Sequence, residues 1–302
     1  MKKAYLFVII TALLFGTMEV SCKVGGASLD PFQLTFTRFV IGAAILLPFA
    51  IGHLRKHNIR LTARDHLSLA VAGVLGVTIS MSLFQIAIMM CNASTVSVLF
   101  CVNPFFTMAF AHFMTNEKMN RHKAGVLFFA LCGIVFMLRP WDVQEGNSVQ
   151  GMALMILAAF IFGFYTVFSK QSQQRFGLMA QTSISFLYGS AVLLILLLVT
   201  GRPIIDGLSE SIPIVIYTGV LVTGLGYFCY FKAIELSDAA TGAFAFFIKP
   251  VIAPIIAVIV LHETILWNTV VGILLILTAS IINIYYQRKK SYEEIIHKRY
   301  TE

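Results

Sequence analysis

Apolar runs of about twenty residues, joined by short polar links, recur along the chain from Ala4 to Tyr286. A helix of that length spans the hydrocarbon of a bilayer. Ten such segments are predicted: Ala4–Cys22, Pro31–Gly52, Leu67–Met90, Ala93–Met114, Lys123–Leu138, Val149–Ser169, Leu178–Thr200, Ile212–Ile234, Ala239–Leu261 and Trp267–Tyr286. The links carry turn formers, as in "GGASLDP", "RPWDVQEGN" and "TGRPIIDG". The pattern predicts an all-α integral membrane protein with ten transmembrane helices.

Composition agrees. Of the 302 residues, 58% are apolar and 12% charged, against roughly 25% charged in soluble domains. The opening "MKKAYLFVIITALLFG" has the basic start and apolar core of a signal peptide, and Cys22 invites comparison with a lipoprotein site. Glu19 stands where a cleavage site wants small or apolar residues, and further apolar runs follow, so a first transmembrane helix is expected. The 5 cysteines (Cys22, Cys91, Cys101, Cys132, Cys229) are odd in number and lack metal-ligand spacing, and are expected to be buried free thiols. No metal or cofactor is expected.

The net charge of +8 is a topology signal. If the N-terminus is cytoplasmic, 17 of the 22 lysines and arginines fall on the inner side and only Lys23, Arg139 and Arg202 on the outer. Arg38 and Lys249 remain inside helices. Both termini are then cytoplasmic, with residues 288–302 forming a basic tail, and nucleic acid is not expected as a partner.

The halves of the chain resemble each other. A shift of 146 residues lays Gly73-Val74-Leu75 on Gly219-Val220-Leu221, Ala87-Ile88 on Ala233-Ile234, Pro104 on Pro250 and Glu117 on Glu263. A shift of 147 lays Phe15-Gly16 on Phe162-Gly163, Phe39 on Phe186 and Gly42 on Gly189. Each unit (1–138 and 139–287) holds five predicted helices, an odd number, so the second enters the membrane from the opposite side. Inverted repeats of this kind build secondary transporters whose sites lie near mid-membrane.

With "DPFQLTFTRFVIGAAILLP", "NASTVSVLFCVNPFFTMAFAHFMTNEKM" and "SDAATGAFAFFIKPVIAPIIAVIVLHETI", the chain resembles the drug/metabolite transporter superfamily in its ten-helix form with two EamA domains. The resemblance covers about residues 4–286 and rests on the paired motifs Pro104…Glu117 and Pro250…Glu263. It implies a central cavity lined by helices 1–4 and 6–9, with the fifth and tenth peripheral. It also implies export or exchange of amino acids, other metabolites or drugs. The four-helix multidrug relatives couple through a first-helix carboxylate. Aligning on Lys23 puts Phe15 at that place, with Glu19 a turn later, so the role does not transfer.

Intramembrane charges are the default functional candidates, since each costs about 2.5–3.5 kcal/mol at a helix centre and usually faces a cavity or a partner. Glu19 is the one acid within a predicted span, and Arg38 is close enough in depth to pair with it. Lys249 lies about ten residues, roughly 15 Å, from the nearer helix end, beyond the reach of snorkelling. Pro250 and Pro104 free the carbonyls of Phe246 and Phe100, so Asn103-Pro104 and Lys249-Pro250 are expected to form a pseudo-symmetric site floor. Tyr165, Tyr227, Tyr230, Phe246 and Gln85 are expected to complete the substrate site, with Glu19, Lys249, Pro104 and Pro250 in coupling or gating.

The expected function is a secondary carrier in a bacterial cytoplasmic membrane, exporting or exchanging a small carboxylate-bearing metabolite such as an amino acid. Coupling is expected to be to protons, since no nucleotide-binding glycine loop is present. A broad drug efflux carrier is the alternative, with Glu19 attracting cations. A lipid-acting membrane enzyme would need clustered His, Asp or Glu, and His53, His57 and His66 instead sit on a basic loop. A non-transporting scaffold or sensor is disfavoured by the buried charges. The lipid bilayer and a small-molecule substrate are the expected partners, and a homodimer is left open.

Overall fold

The computed structural model describes residues 2–115, 125, 128–129, 132–133, 135–136, 145–236, 239–275, 277–279, 281–282 and 285, without the side chains of residues 2, 171, 239–244 and 247–248. All regular structure among the described residues is helical. Seven helices are long and apolar enough to cross a membrane: α1 (Lys3–Gly26), α2 (Pro31–Lys56), α3 (Ala63–Met90), α4 (Ala93–Met114), α5 (Val149–Phe168), α6 (Leu178–Val199) and α7 (Ile212–Glu235). They are followed by α8 (Ala239–Leu261) and α9 (Trp267–Ala279). Most of the fifth predicted segment, the end of the tenth, Glu117 and the basic tail lie outside the described residues. The chain is a multi-pass integral membrane protein.

Local chemistry places the helix ends. Asp30 and Gln33 form a capping box with Pro31 in the first turn of α2. Thr62 and Asp65 form another and start α3 four residues before its predicted limit. Ser148 Oγ caps α5 by accepting from the Gly151 amide at 2.9 Å. α1 ends at Gly26 rather than Cys22 and has a break at Thr17, whose hydroxyl lies 2.8 Å from the Leu14 carbonyl. Such back-bonding bends helices.

The N-terminus of α4 is capped from the other half of the chain. Asn92 offers no side-chain cap there. Instead Glu263 accepts from the Ala93 amide (2.6 Å), the Ser94 amide (3.0 Å) and the Ser94 hydroxyl (2.7 Å). A carboxylate is favoured at a helix N-terminus, where unpaired amides concentrate positive charge. Lys23 Nζ stands 3.5 Å from the same carboxylate and donates to the Cys91 carbonyl at 2.6 Å.

Packing follows the sequence repeat. α1 packs on α7 and α8, and its repeat partner α5 packs on α3 and α4. Likewise α2 packs on α7, and its partner α6 packs on α3; α2 meets α6, and α4 meets α8. Individual contacts obey the same relation. A methyl added to Gly16 would stand 2.5 Å from Ile252 Cγ2, and one on Gly163 would stand 2.8 Å from Cβ of Phe106, the counterpart of Ile252. Phe15 meets Phe246 at 5.5 Å between ring centroids, and Phe162 meets Phe100 at 5.4 Å. Phe39 and Phe186 are partners in the repeat and stack edge-to-face at 4.7 Å. A pseudo-twofold axis therefore runs between their rings. π-helical stretches occupy Val74–Met81 in α3 and Tyr217–Leu225 in α7, corresponding regions that the sequence pattern did not reveal.

Gly73 and Gly189 bring α3 and α6 into backbone contact: an added methyl on Gly73 would lie 2.2 Å from the Ser185 carbonyl oxygen and 2.6 Å from the Gly189 nitrogen. Gly73→Ala is expected to lose about 1–3 kcal/mol by overpacking. Gly52→Ala, with nothing within 4 Å of the added carbon, should be neutral or slightly stabilising. Thermal unfolding in detergent distinguishes them, and equal midpoints would show that the seam yields freely. By the same assay Glu263→Ala should cost about 1–2 kcal/mol through loss of the cap.

Candidate substrate site

Glu19 lies two residues past the break in α1, and Lys249 projects from α8 immediately before Pro250. Because α1 packs directly on α8, the two side chains meet as an ion pair of 2.5 Å. Glu19 is 0% and Lys249 2% exposed. Neither carboxylate oxygen accepts a hydrogen bond of good geometry from any described residue. The ammonium also lies 5.5 Å from the centroid of the Phe100 ring, a cation–π distance.

Sequence reasoning offered Arg38 as the partner of Glu19. The structure gives that place to Lys249 and sets Arg38 among softer groups. Its guanidinium donates to Cys22 Sγ (3.1 Å) and Met81 Sδ (3.4 Å) and lies 4.7 Å from the centroid of the Phe39 ring. Arg38 Nε has no hydrogen-bond partner among the described residues. α2 packs mainly on α6 and α7, and Arg38 reaches from it to Cys22 of α1 and Met81 of α3.

Beside the pair is a cavity of about 20 Å³, room for about one water molecule. Phe15 and Met18 of α1, Arg38 and Phe39 of α2, Met81 of α3 and Phe100 of α4 line it from the first repeat. Phe162 of α5, Val222, Thr223 and Tyr227 of α7, and Phe246 and Lys249 of α8 complete it. Met81, Val222 and Thr223 all lie in the π-helical stretches, which often mark functional sites. Two cations and one carboxylate leave a surplus of positive charge within aromatic walls, chemistry suited to an amphipathic anion.

The remaining predicted site residues are distributed as follows. Tyr227, Phe246, Arg38 and Lys249 line the cavity; Tyr230 stands behind them, packed on Phe15 (6.4 Å) and Phe246 (5.3 Å). Tyr165 packs on Phe162 at 5.3 Å, also outside the lining. Gln85 is buried and donates to the Cys22 carbonyl at 3.0 Å. α4 is broken at Cys101–Val102, and Asn103 donates its amide to the Phe100 carbonyl at 2.9 Å, satisfying the group that Pro104 leaves free. α8 by contrast runs unbroken through Pro250 and Pro254. The proline motifs thus share sequence register but not conformation. Among the cysteines, four are buried free thiols and Cys132 is half-buried. Eight lining residues were missed from sequence. Phe15, Phe39, Phe100 and Phe162 did carry a signal, since each pairs with another aromatic under the repeat, whereas Met18, Met81, Val222 and Thr223 carried none.

The family relationship is unambiguous. The EamA-like transporter family matches residues 2–139 and 149–285, one match in each half. An uncharacterised transporter of Clostridium kluyveri is 39% identical over 298 residues, covering 96% of both chains. An S-adenosylmethionine uptake transporter of Rickettsia prowazekii is 24% identical, covering 90% of this chain and 88% of its own. A solved crystal structure superposes with a TM-score of 0.65 at 16% identity, covering 95% of this chain and 98% of its own, a likeness of fold. With the family matched in both halves and a relative aligned almost end to end, this chain belongs to the EamA-like transporter family.

Proposed function

We propose that the protein is a secondary carrier that exports or exchanges a small carboxylate-bearing metabolite, such as an amino acid, by alternating access with proton coupling. The observation that carries this reading is the buried Glu19–Lys249 pair beside a cavity at the seam of the two repeats. Inverted-repeat carriers hold substrate and coupling groups at that seam. Lys249 and Arg38 would receive the carboxylate, while Phe15, Phe39, Phe100, Tyr227 and Phe246 would enclose the apolar part. S-adenosylmethionine, in the name of one relative, carries an amino acid group, which fits this substrate class. Since that name specifies uptake, exchange accommodates it better than export alone. The distribution of lysines and arginines supports cytoplasmic termini, and bacterial relatives support the cytoplasmic membrane of a bacterium.

A broad efflux carrier is the second reading, favoured by the aromatic lining. Glu19 is bound to Lys249 rather than open to a cation, which weighs against it.

A thermal-shift panel of amino acids, organic acids and cationic drugs, followed by counterflow in proteoliposomes, tests the reading. Stabilisation and counterflow are expected for a carboxylate. Drug cations alone giving counterflow would favour the second reading. Lys249→Ala should abolish counterflow. Because it strands Glu19, it should also cost about 3–5 kcal/mol of stability, whereas Glu19→Leu combined with Lys249→Met should recover most of that loss. Wild-type counterflow by the double variant would remove the ion pair from the mechanism.

A further inference from the structure

We infer that Glu19 is a built-in stand-in for the substrate: the incoming carboxylate takes its place on Lys249, and the displaced Glu19 binds one proton. One proton then crosses with each carboxylate, in the same direction and without net charge. The inference rests on the carrier reading above and adds the coupling step.

Geometry is the first ground. Lys249 lines the cavity, Glu19 does not, and the ammonium lies 5.5 Å from the ring of Phe100 on the cavity wall, so the pair is reached from the cavity through Lys249. With room for about one water molecule, the cavity as it stands does not take a whole metabolite beside the intact pair. Admitting the substrate therefore means opening the cavity, and the exchange of carboxylates accompanies that opening.

The second ground is what becomes of Glu19. It is 0% exposed, and Lys249 is its one ion-pair partner among the described residues. A buried, unpaired carboxylate is costly enough to be neutralised instead. The titratable and polar groups of the helices around it leave no other outlet. From α2 comes Arg38, bonded to Cys22 and Met81 and stacked on Phe39. From α4 comes the buried Cys101, and from α7 come Tyr217, bonded to Thr17, and Tyr227 on the cavity wall. α3 presents Met81 and Gln85, neither of which titrates, and α1 itself adds Cys22. Glu19 is the carboxyl group of this set.

The exchange balances. The Glu19 carboxylate leaves Lys249, the substrate carboxylate pairs with it, and one proton from solution forms an O–H bond on Glu19. No covalent bond between heavy atoms changes. The site carries the same charge before and after, so the loaded and unloaded carriers cross with equal charge.

The test uses the full chain in detergent with benzoate as probe, whose carboxylate suits Lys249 and whose ring suits the aromatic wall. Calorimetry in buffers of different ionisation enthalpy counts protons taken up per benzoate. About one is expected for the wild type, with Kd rising about tenfold per pH unit between about pH 6 and 8, since binding is favoured where protons are abundant. Glu19→Gln should bind benzoate at least about tenfold more tightly, with no proton uptake, because the internal competitor is gone. Lys249→Met should not bind it. Any of four results overturns the inference: no proton uptake by the wild type, equal or weaker binding by Glu19→Gln, undiminished binding by Lys249→Met, or no benzoate binding at all. Should Glu19→Gln fail to fold, the wild-type proton count decides alone. A carrier that moves cations and ignores benzoate would refute this inference while leaving transport intact. Proton-linked benzoate binding without counterflow of any compound would do the reverse.

Discussion

Helices in hydrocarbon gain nothing from the hydrophobic effect by meeting one another, so their association depends on close backbone approach and dispersion. Here that constraint falls on glycines at repeat-related places. Gly73 and Gly189 face each other across α3 and α6, and Gly16 and Gly163 admit Ile252 and Phe106. These contacts join helices from opposite halves, so neither repeat is a self-contained bundle. The cavity lies between the halves because that is where the helices are forced together.

Around this symmetric frame the polar chemistry is unequal. Glu19 and Arg38 belong to the first repeat, and Lys249 to the second. Their counterparts are Thr166, Ser185 and Asn103, none of them charged. Asn103 is spent on the Phe100 carbonyl at the break in α4, while α8 stays continuous and sends its ammonium to Glu19. One motif thus repairs its own backbone and the other supplies a charge to the site.

Much of this was legible from residues alone. The spans and the repeat follow from hydropathy and a constant offset, and α8 has the limits predicted for it. Burial of Glu19, Arg38 and Lys249 was expected because a charge in lipid must face inward. Their pairing was not, since depth along two helices is readable from sequence but the azimuth of each helix is not. Arg38 could be placed level with Glu19 and still point at Cys22 and Met81. The π-helical stretches were also hidden, because an i→i+5 turn needs no distinctive residue and both runs are predominantly apolar, so a change of face leaves little mark on the pattern. Glu263 is visible in sequence as the end of a paired motif; that it caps α4 of the opposite repeat depends on folding of the whole chain.

The edge-to-face pair Phe39–Phe186 marks an axis that invites comparison with a dimer of single repeats. In such a dimer every substitution is made twice. A lysine introduced at the 103/249 position would stand on both sides of the axis, and a glutamate at the 19/166 position would do likewise. Each membrane-buried charge would thus be doubled. Joining the two repeats in one chain removes that penalty, letting one side become a base while the other remains a neutral amide. Covalent continuity therefore lets a symmetric scaffold hold a single, oriented charge pair.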